Sequence, residues 1–169
     1  MALYGTYRAT AFTQHADHLS GAENGLICIV SSLPLGSDAT NALTKSFEAL
    51  GYGPDPCTFL TLQSRTSSHV GMEGEPGQAP KDSLTAKDLF SVVEALDPVI
   101  VVSCDQQATN LLSTAYRQAL PPFGSAKIFG RFGCFLPGIS TMLATDKGKQ
   151  QVWAHLKALP VRTSPPMRK

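Results

Sequence analysis

The stretch Leu26-Ile-Cys-Ile-Val-Ser-Ser-Leu-Pro-Leu-Gly-Ser-Asp38 constrains this chain most. An apolar run ends abruptly at two serines. A Pro/Gly loop follows, and Ser37 or Asp38 then stands where a helix cap is favoured. That pattern is how the first strand of an open α/β sheet delivers its loop to a ligand site.

The rest of the chain repeats the alternation. Ala39, Leu43, Phe47 and Leu50 recur at helical spacing, and Gly51 suits a left-handed C-terminal residue. Cys57-Thr-Phe-Leu-Thr-Leu62 is β-branched and aromatic and reads as a second strand. Thr85-Ala-Lys-Asp88 resembles a capping box ahead of Leu89, Val92, Val93 and Leu96, and Asp97-Pro98 stops that helix. Val99-Ile-Val-Val102 is the most apolar short run and reads as a central parallel strand. Asp105 can cap the next helix, whose inner face is Ala108, Leu111, Leu112 and Ala115. Lys127 to Leu136 holds one or two short strands with Gly kinks, and Ile139 to Leu143 a helical turn. Thr145 or Asp146 caps a last helix with Val152, Trp153, Leu156 and Leu159 facing inward.

Strand–helix alternation predicts a three-layer α/β/α domain with a mainly parallel central sheet of about four strands. The expected organisation is an N-terminal segment over 1–24 (a short helix or edge element), one domain over 25–160, and a flexible tail over 161–169. Residues 63–81 form a long Ser/Thr/Gly-rich loop, of the kind that is functional or mobile.

Composition narrows the function classes. A formal net charge of +1 does not demand nucleic acid, and 43% apolar with 16% charged residues is not a disordered composition. The four cysteines, Cys28, Cys57, Cys104 and Cys134, share no metal-ligand spacing, so buried thiols, no metal, no cluster and no cofactor are expected. His15 and His18 fall on one helix face but lack a third ligand, and a solvated or capping role is expected. No apolar run approaches the ~20 residues of a membrane helix, and residues 1–25 carry no basic-then-apolar leader pattern. A cytoplasmic protein without a membrane partner is the expectation.

Ligands of such sheets sit beyond the carboxyl ends of the strands. The expected cleft is therefore Ser31, Ser32, Leu33, Pro34, Gly36, Ser103, Asp105, Leu136, Pro137 and Gly138. No glycine-rich dinucleotide or phosphate-loop motif occupies it. Asp38 is the one weak catalytic candidate, a water-activating base, and a helix cap explains it better. Cys104 lacks a nearby His and sits beside Asp105, which disfavours a thiolate. Arg65, Ser67, Lys127 and Arg131 are candidate nucleic-acid or phosphate contacts, the last two interleaved with Phe123, Phe129, Phe132 and Phe135.

Val30-Ser-Ser-Leu-Pro-Leu-Gly36 with Leu50-Gly-Tyr, the run from Leu96-Asp-Pro-Val to Asn-Leu-Leu112, and Leu136-Pro-Gly-Ile-Ser with Lys149-Gln-Gln-Val-Trp-Ala-His-Leu-Lys157 together resemble the uracil-DNA glycosylase superfamily, nearest its iron–sulfur branch. The resemblance runs from about residue 25 to 160 and implies that family's fold. The family's first motif usually supplies a carboxylate or amide to orient water. Its last usually begins His-Pro-Ser, and the His stabilises the departing base. Here Ser-Ser-Leu-Pro-Leu-Gly and Leu136 stand in those places, and the cluster-binding cysteines are absent. Leucine donates no hydrogen bond to an anion, and such stabilisation is often the largest catalytic contribution. A second likeness, through Leu33-Pro-Leu-Gly-Ser-Asp38 and residues 146–156, is to the psi subunit of DNA polymerase III, a non-catalytic protein of this general fold.

The expectation is a degenerate glycosylase-like domain with a binding or assembly role in DNA replication or repair, its partner DNA or a protein of those processes. The alternatives are a divergent glycosylase hydrolysing an N-glycosidic bond, and a binder of a small base or nucleotide.

Overall fold

The computed structural model describes residues 2–65 and 82–160. The expected Ser67 contact, most of the 63–81 loop and the 161–169 tail lie outside the described residues.

Among the described residues, six strands form one sheet. They are β1 (Leu19–Gly21), β2 (Ile27–Ser31), β3 (Cys57–Thr61), β4 (Ile100–Ser103), β5 (Gly124–Ile128) and β6 (Arg131–Phe135), in the order β1-β3-β2-β4-β6-β5. The four inner strands are parallel, and β1 and β5 flank them antiparallel. The four-strand expectation is thus corrected to six. Both additions are edge strands: Leu-Ser-Gly is too short to show a period, and Gly-Ser-Ala-Lys-Ile carries little apolar signal.

The inner strands explain the layering. Every side chain of β2 and β4 is buried, as expected of parallel strands covered on both faces. Successive residues serve opposite faces. Cys28, Val30 and Val101 pack against helices α1 (Ala2–Gln14), α3 (Ala86–Leu96) and α4 (Gln106–Tyr116) through Ala11, Leu89, Val92, Val93, Leu96, Ala108 and Leu112. Ile27, Ile29, Ile100 and Val102 pack against α2 (Ser37–Ala49), α5 (Ile139–Leu143) and α6 (Asp146–Lys157) through Leu43, Phe47, Ile139, Val152 and Leu156. The result is α/β/α with three helices on each face. The ambiguous first 24 residues supply both a helix, α1, and an edge strand, β1.

Helix ends follow the sequence in most places. Thr85 and Asp88 close a reciprocal capping box on α3, Asp105 caps α4, and Thr145 caps α6. At α2 the reading is corrected. Gly36 is the N-cap and makes no side-chain cap bond, so Ser37 and Asp38 lie inside the first turn. There Asp38 still meets the positive end of the helix dipole. Trp153 is also corrected: it is 40% exposed, because Val152 and Leu156 already fill the inner stripe of α6.

The α5–α6 contact rests on one glycine. A Cβ at Gly148 would stand 1.9 Å from the Met142 carbonyl oxygen and 2.7 Å from its carbon. That obstacle is backbone and cannot rotate away. Gly148→Ala is expected to destabilise the fold by about 1–3 kcal/mol, in the range of overpacked cores, read as a lower midpoint in urea unfolding.

Candidate functional site

The strand order reverses between β2 and β4. From β2 the chain crosses to β3 on one side, then returns past β2 to β4 on the other. Ligand crevices of open sheets form at such a switch point. The register sets Val30 opposite Ser103 and Ser103 opposite Phe135, so the loops after β2, β4 and β6 emerge side by side.

What joins those loops is main chain and one carboxylate. Asp105 accepts from the Ser32 amide at 2.8 Å through one oxygen and from the Ala108 amide at 2.9 Å through the other. Its backbone forms a bridge with Gly138. The Leu136 amide donates to the Ser103 carbonyl at 2.9 Å, and the Ile139 amide to the Cys104 carbonyl at 2.8 Å. Asp105 therefore ties the first loop to α4 and stands against the last loop. Both carboxylate oxygens are already engaged in holding backbone.

Several expected cleft residues are interior. Ser31 and Ser103 are buried, and the Ser103 hydroxyl lies 2.7 Å from that of buried Thr109. Leu136 is fully buried and belongs to the core beneath α5 and α6, so it does not line an open cleft; an apolar side chain one residue past β6 continues the inward alternation of Cys134. The open positions are Leu33 (56% exposed), Pro34, Gly36 and Pro137, with Ser32 and Gly138 half-buried. Asp38 does not join Asp105. It lines a groove of about 370 Å³ between α2, α5 and α6 with Ala42, Ser46, Leu143, Lys149 and Trp153.

The candidate phosphate contacts separate. Arg65 donates to the carbonyls of Ala16, Asp17 and Leu19, holding the turn between α1 and β1. His18 Nδ1 lies 2.8 Å from the Thr61 carbonyl, so this histidine bonds the neighbouring strand. Arg131 clasps Glu94 through both terminal nitrogens, at 2.7 and 3.1 Å, and reaches Asp97 at 3.1 Å. Its side chain is 13% exposed and offers no free cation. Tyr116 donates to the same Glu94 at 2.8 Å; burial, then that hydrogen bond, pushes the phenol above its ordinary value. Lys127 stays exposed, its ammonium 5.3 Å from the Phe132 ring centroid, whereas exposed Arg65 has its guanidinium bound to main-chain carbonyls.

Sequence reasoning missed this Glu94–Arg131–Tyr116 cluster, because its members lie on α3, β6 and α4. The helical offset of Glu94 from Val93 was the only signal.

The thiols are inert by environment. Burial pushes Cys28, Cys57 and Cys134 up to about 12, and burial with the neighbouring Asp105 pushes Cys104 well above its usual value. A nucleophile or metal ligand needs the thiolate. Among the described residues no group of three or more His, Cys, Asp or Glu is placed to hold a metal, and no helix is long and apolar enough to cross a membrane.

Two expectations follow. Asp105→Ala should cost about 2–4 kcal/mol, combining a lost cap with the unpaired Ser32 amide. Asp105→Asn should cost less, because it keeps one acceptor. Urea unfolding monitored by circular dichroism checks both. The folded thiols hold protons that the unfolded chain releases above about pH 9, so stability should be independent of these groups below that pH and fall as pH rises toward 12. Unfolding midpoints at neutral and alkaline pH measure the slope, and a thiol reagent at neutral pH should label the cysteines only after denaturant is added.

No family model matches the chain, and no curated protein matches it in sequence.

Proposed function

We propose that this protein is a glycosylase-like α/β domain without base-excision chemistry, serving a binding or assembly role in DNA replication or repair. The observation that carries the proposal is the Asp105 carboxylate. It is the acid nearest the switch point, and both its oxygens accept backbone N–H groups. A general base must point its carboxylate at a water or substrate proton; two backbone donors instead orient the Asp105 carboxylate toward Ser32 and Ala108. Asp38, in the first turn of α2, faces the α2–α6 groove with Lys149 and Trp153.

Further support comes from what surrounds that acid. Leu136 is buried where a hydrogen-bonding side chain would be needed to stabilise a departing base. The loop that would meet a ligand presents Leu33 and Pro34 to solvent. An exposed apolar tip on a fixed loop suits contact with another protein better than proton transfer.

A uracil-release assay on single- and double-stranded DNA tests the chemistry, and a photoreactive residue in place of Leu33 tests the assembly role. The expected outcome is no release of base and a discrete protein adduct at Leu33. Robust release that Asp38→Ala or Asp105→Asn abolishes would overturn the proposal. So would cross-linking in cells that yields no discrete adduct.

A further inference from the structure

At the other end of the sheet lies a second concave site. The β5–β6 hairpin turns at Phe129-Gly130, between the paired residues Ile128 and Arg131. Phe132, next in the chain, stands opposite Ile100 at the amino end of β4. The hairpin tip is therefore at the amino ends of the parallel strands, away from the loops joined by Asp105.

Three aromatic rings meet beside this tip. Phe90 of α3 lies 5.1 Å from Tyr116 of α4 and 6.5 Å from Phe129, and Tyr116 and Phe129 are 6.1 Å apart, all by ring centroids. The interplanar angles of 44–68° leave the rings splayed rather than stacked on one another. They line a cavity of about 420 Å³ with Lys87, Thr114 and Arg117.

The backbone makes Phe129 an unfavourable choice for folding alone. Its φ is +47° and that of Gly130 is +84°. Two left-handed residues in a two-residue hairpin loop define the turn that favours Asn-Gly. A bulky side chain is disfavoured in that region, and Phe129 is also 69% exposed. Arg117, on the same cavity, holds another left-handed position, at the C-terminus of α4 with φ +49°. Glycine is the usual residue there. Strain retained at an exposed concave surface points to a ligand rather than to the core.

Charge selects the ligand. Lys87 and Arg117 are exposed at the cavity and make no ion pair among the described residues. The neighbouring carboxylates are engaged: Glu94 and Asp97 by Arg131, and Asp88 by Thr85. Two free cations oppose a cationic guest, which an aromatic cage would otherwise favour. They suit a planar ring that carries negative charge. We propose that this cavity binds a nucleotide unit, its base stacked against Phe129 and Phe90 and its phosphate held by Lys87 and Arg117. The unit is either a free mononucleotide or one residue of a single strand. This site does not depend on the reading of the carboxyl-end loops, and neither does its test.

The test is isothermal titration of the full chain with a nucleoside monophosphate, and anisotropy of a labelled single-stranded oligonucleotide, each at low and physiological salt. Phe129→Asn should weaken binding about tenfold or more, as loss of a stacking ring does, while the melting temperature holds or rises because Asn-Gly fits the turn. Lys87→Glu with Arg117→Glu should abolish binding, and Lys87→Ala alone should flatten its salt dependence. Saturation by the mononucleotide identifies a free nucleotide as the ligand, and binding of the oligonucleotide alone identifies a strand. The proposal fails if neither probe binds, if Phe129→Asn binds like the unaltered chain, or if an acidic peptide occupies the site and neither nucleotide form does.

Discussion

The parallel pairing of β2 with β4 is the constraint on which the rest of the structure depends. Neither strand exposes a side chain, so their backbone N–H and C=O groups have no water to turn to and must bond to neighbouring strands. Ladder register then brings Val30 and Ser103 abreast and delivers two polar loops to the same edge. The same pairing divides the apolar residues. Odd positions of β2 supply one core and even positions the other, so a helix layer is needed on each face.

Asp105 extends this constraint past the strands. Where β2 and β4 end, their ladder would leave the Ser32 amide without a partner. The carboxylate accepts it and caps α4 in the same stroke. Asp105 is a helix cap in the sequence reading, and in three dimensions it is also a tie between the first loop and α4. Arg131 presents a parallel case. It sits among aromatics in the sequence, as a nucleic-acid contact would, and its guanidinium instead joins α3 to β6 through Glu94 and Asp97. In both cases one charged side chain ties together elements that are distant in sequence.

The two ends of the sheet divide differently between stability and function. At the carboxyl end, Asp105 and main-chain groups bond one another, and Leu33, Pro34, Gly36 and Pro137 are exposed. At the amino end, Phe129 and Arg117 stand in left-handed backbone positions, beside free cations and splayed rings. The first arrangement suits a docking loop, and the second suits a small planar anion.

By itself, the sequence determined the alternation of strands and helices, the caps at Thr85 and Asp105, the choice of Thr145 or Asp146 for the last cap, the buried stripes of α2 and α3, and the burial of all four cysteines. These rest on period and on local hydrogen bonding, which act over a few residues and leave a mark in them. It left β1 and β5 open and counted about four strands, because short edge strands are paired on one side only and need little apolar alternation. It misread the start of α2, where Gly36 takes the cap through backbone conformation alone. Only the tertiary structure decided that Leu136 is core, that Asp105 and Arg131 are engaged, and that Phe90, Tyr116 and Phe129 meet. Those outcomes depend on register, crossover and turn geometry. Residues 39 positions apart become neighbours because two helices and a hairpin share one end of the sheet, and nothing local to any of them encodes that.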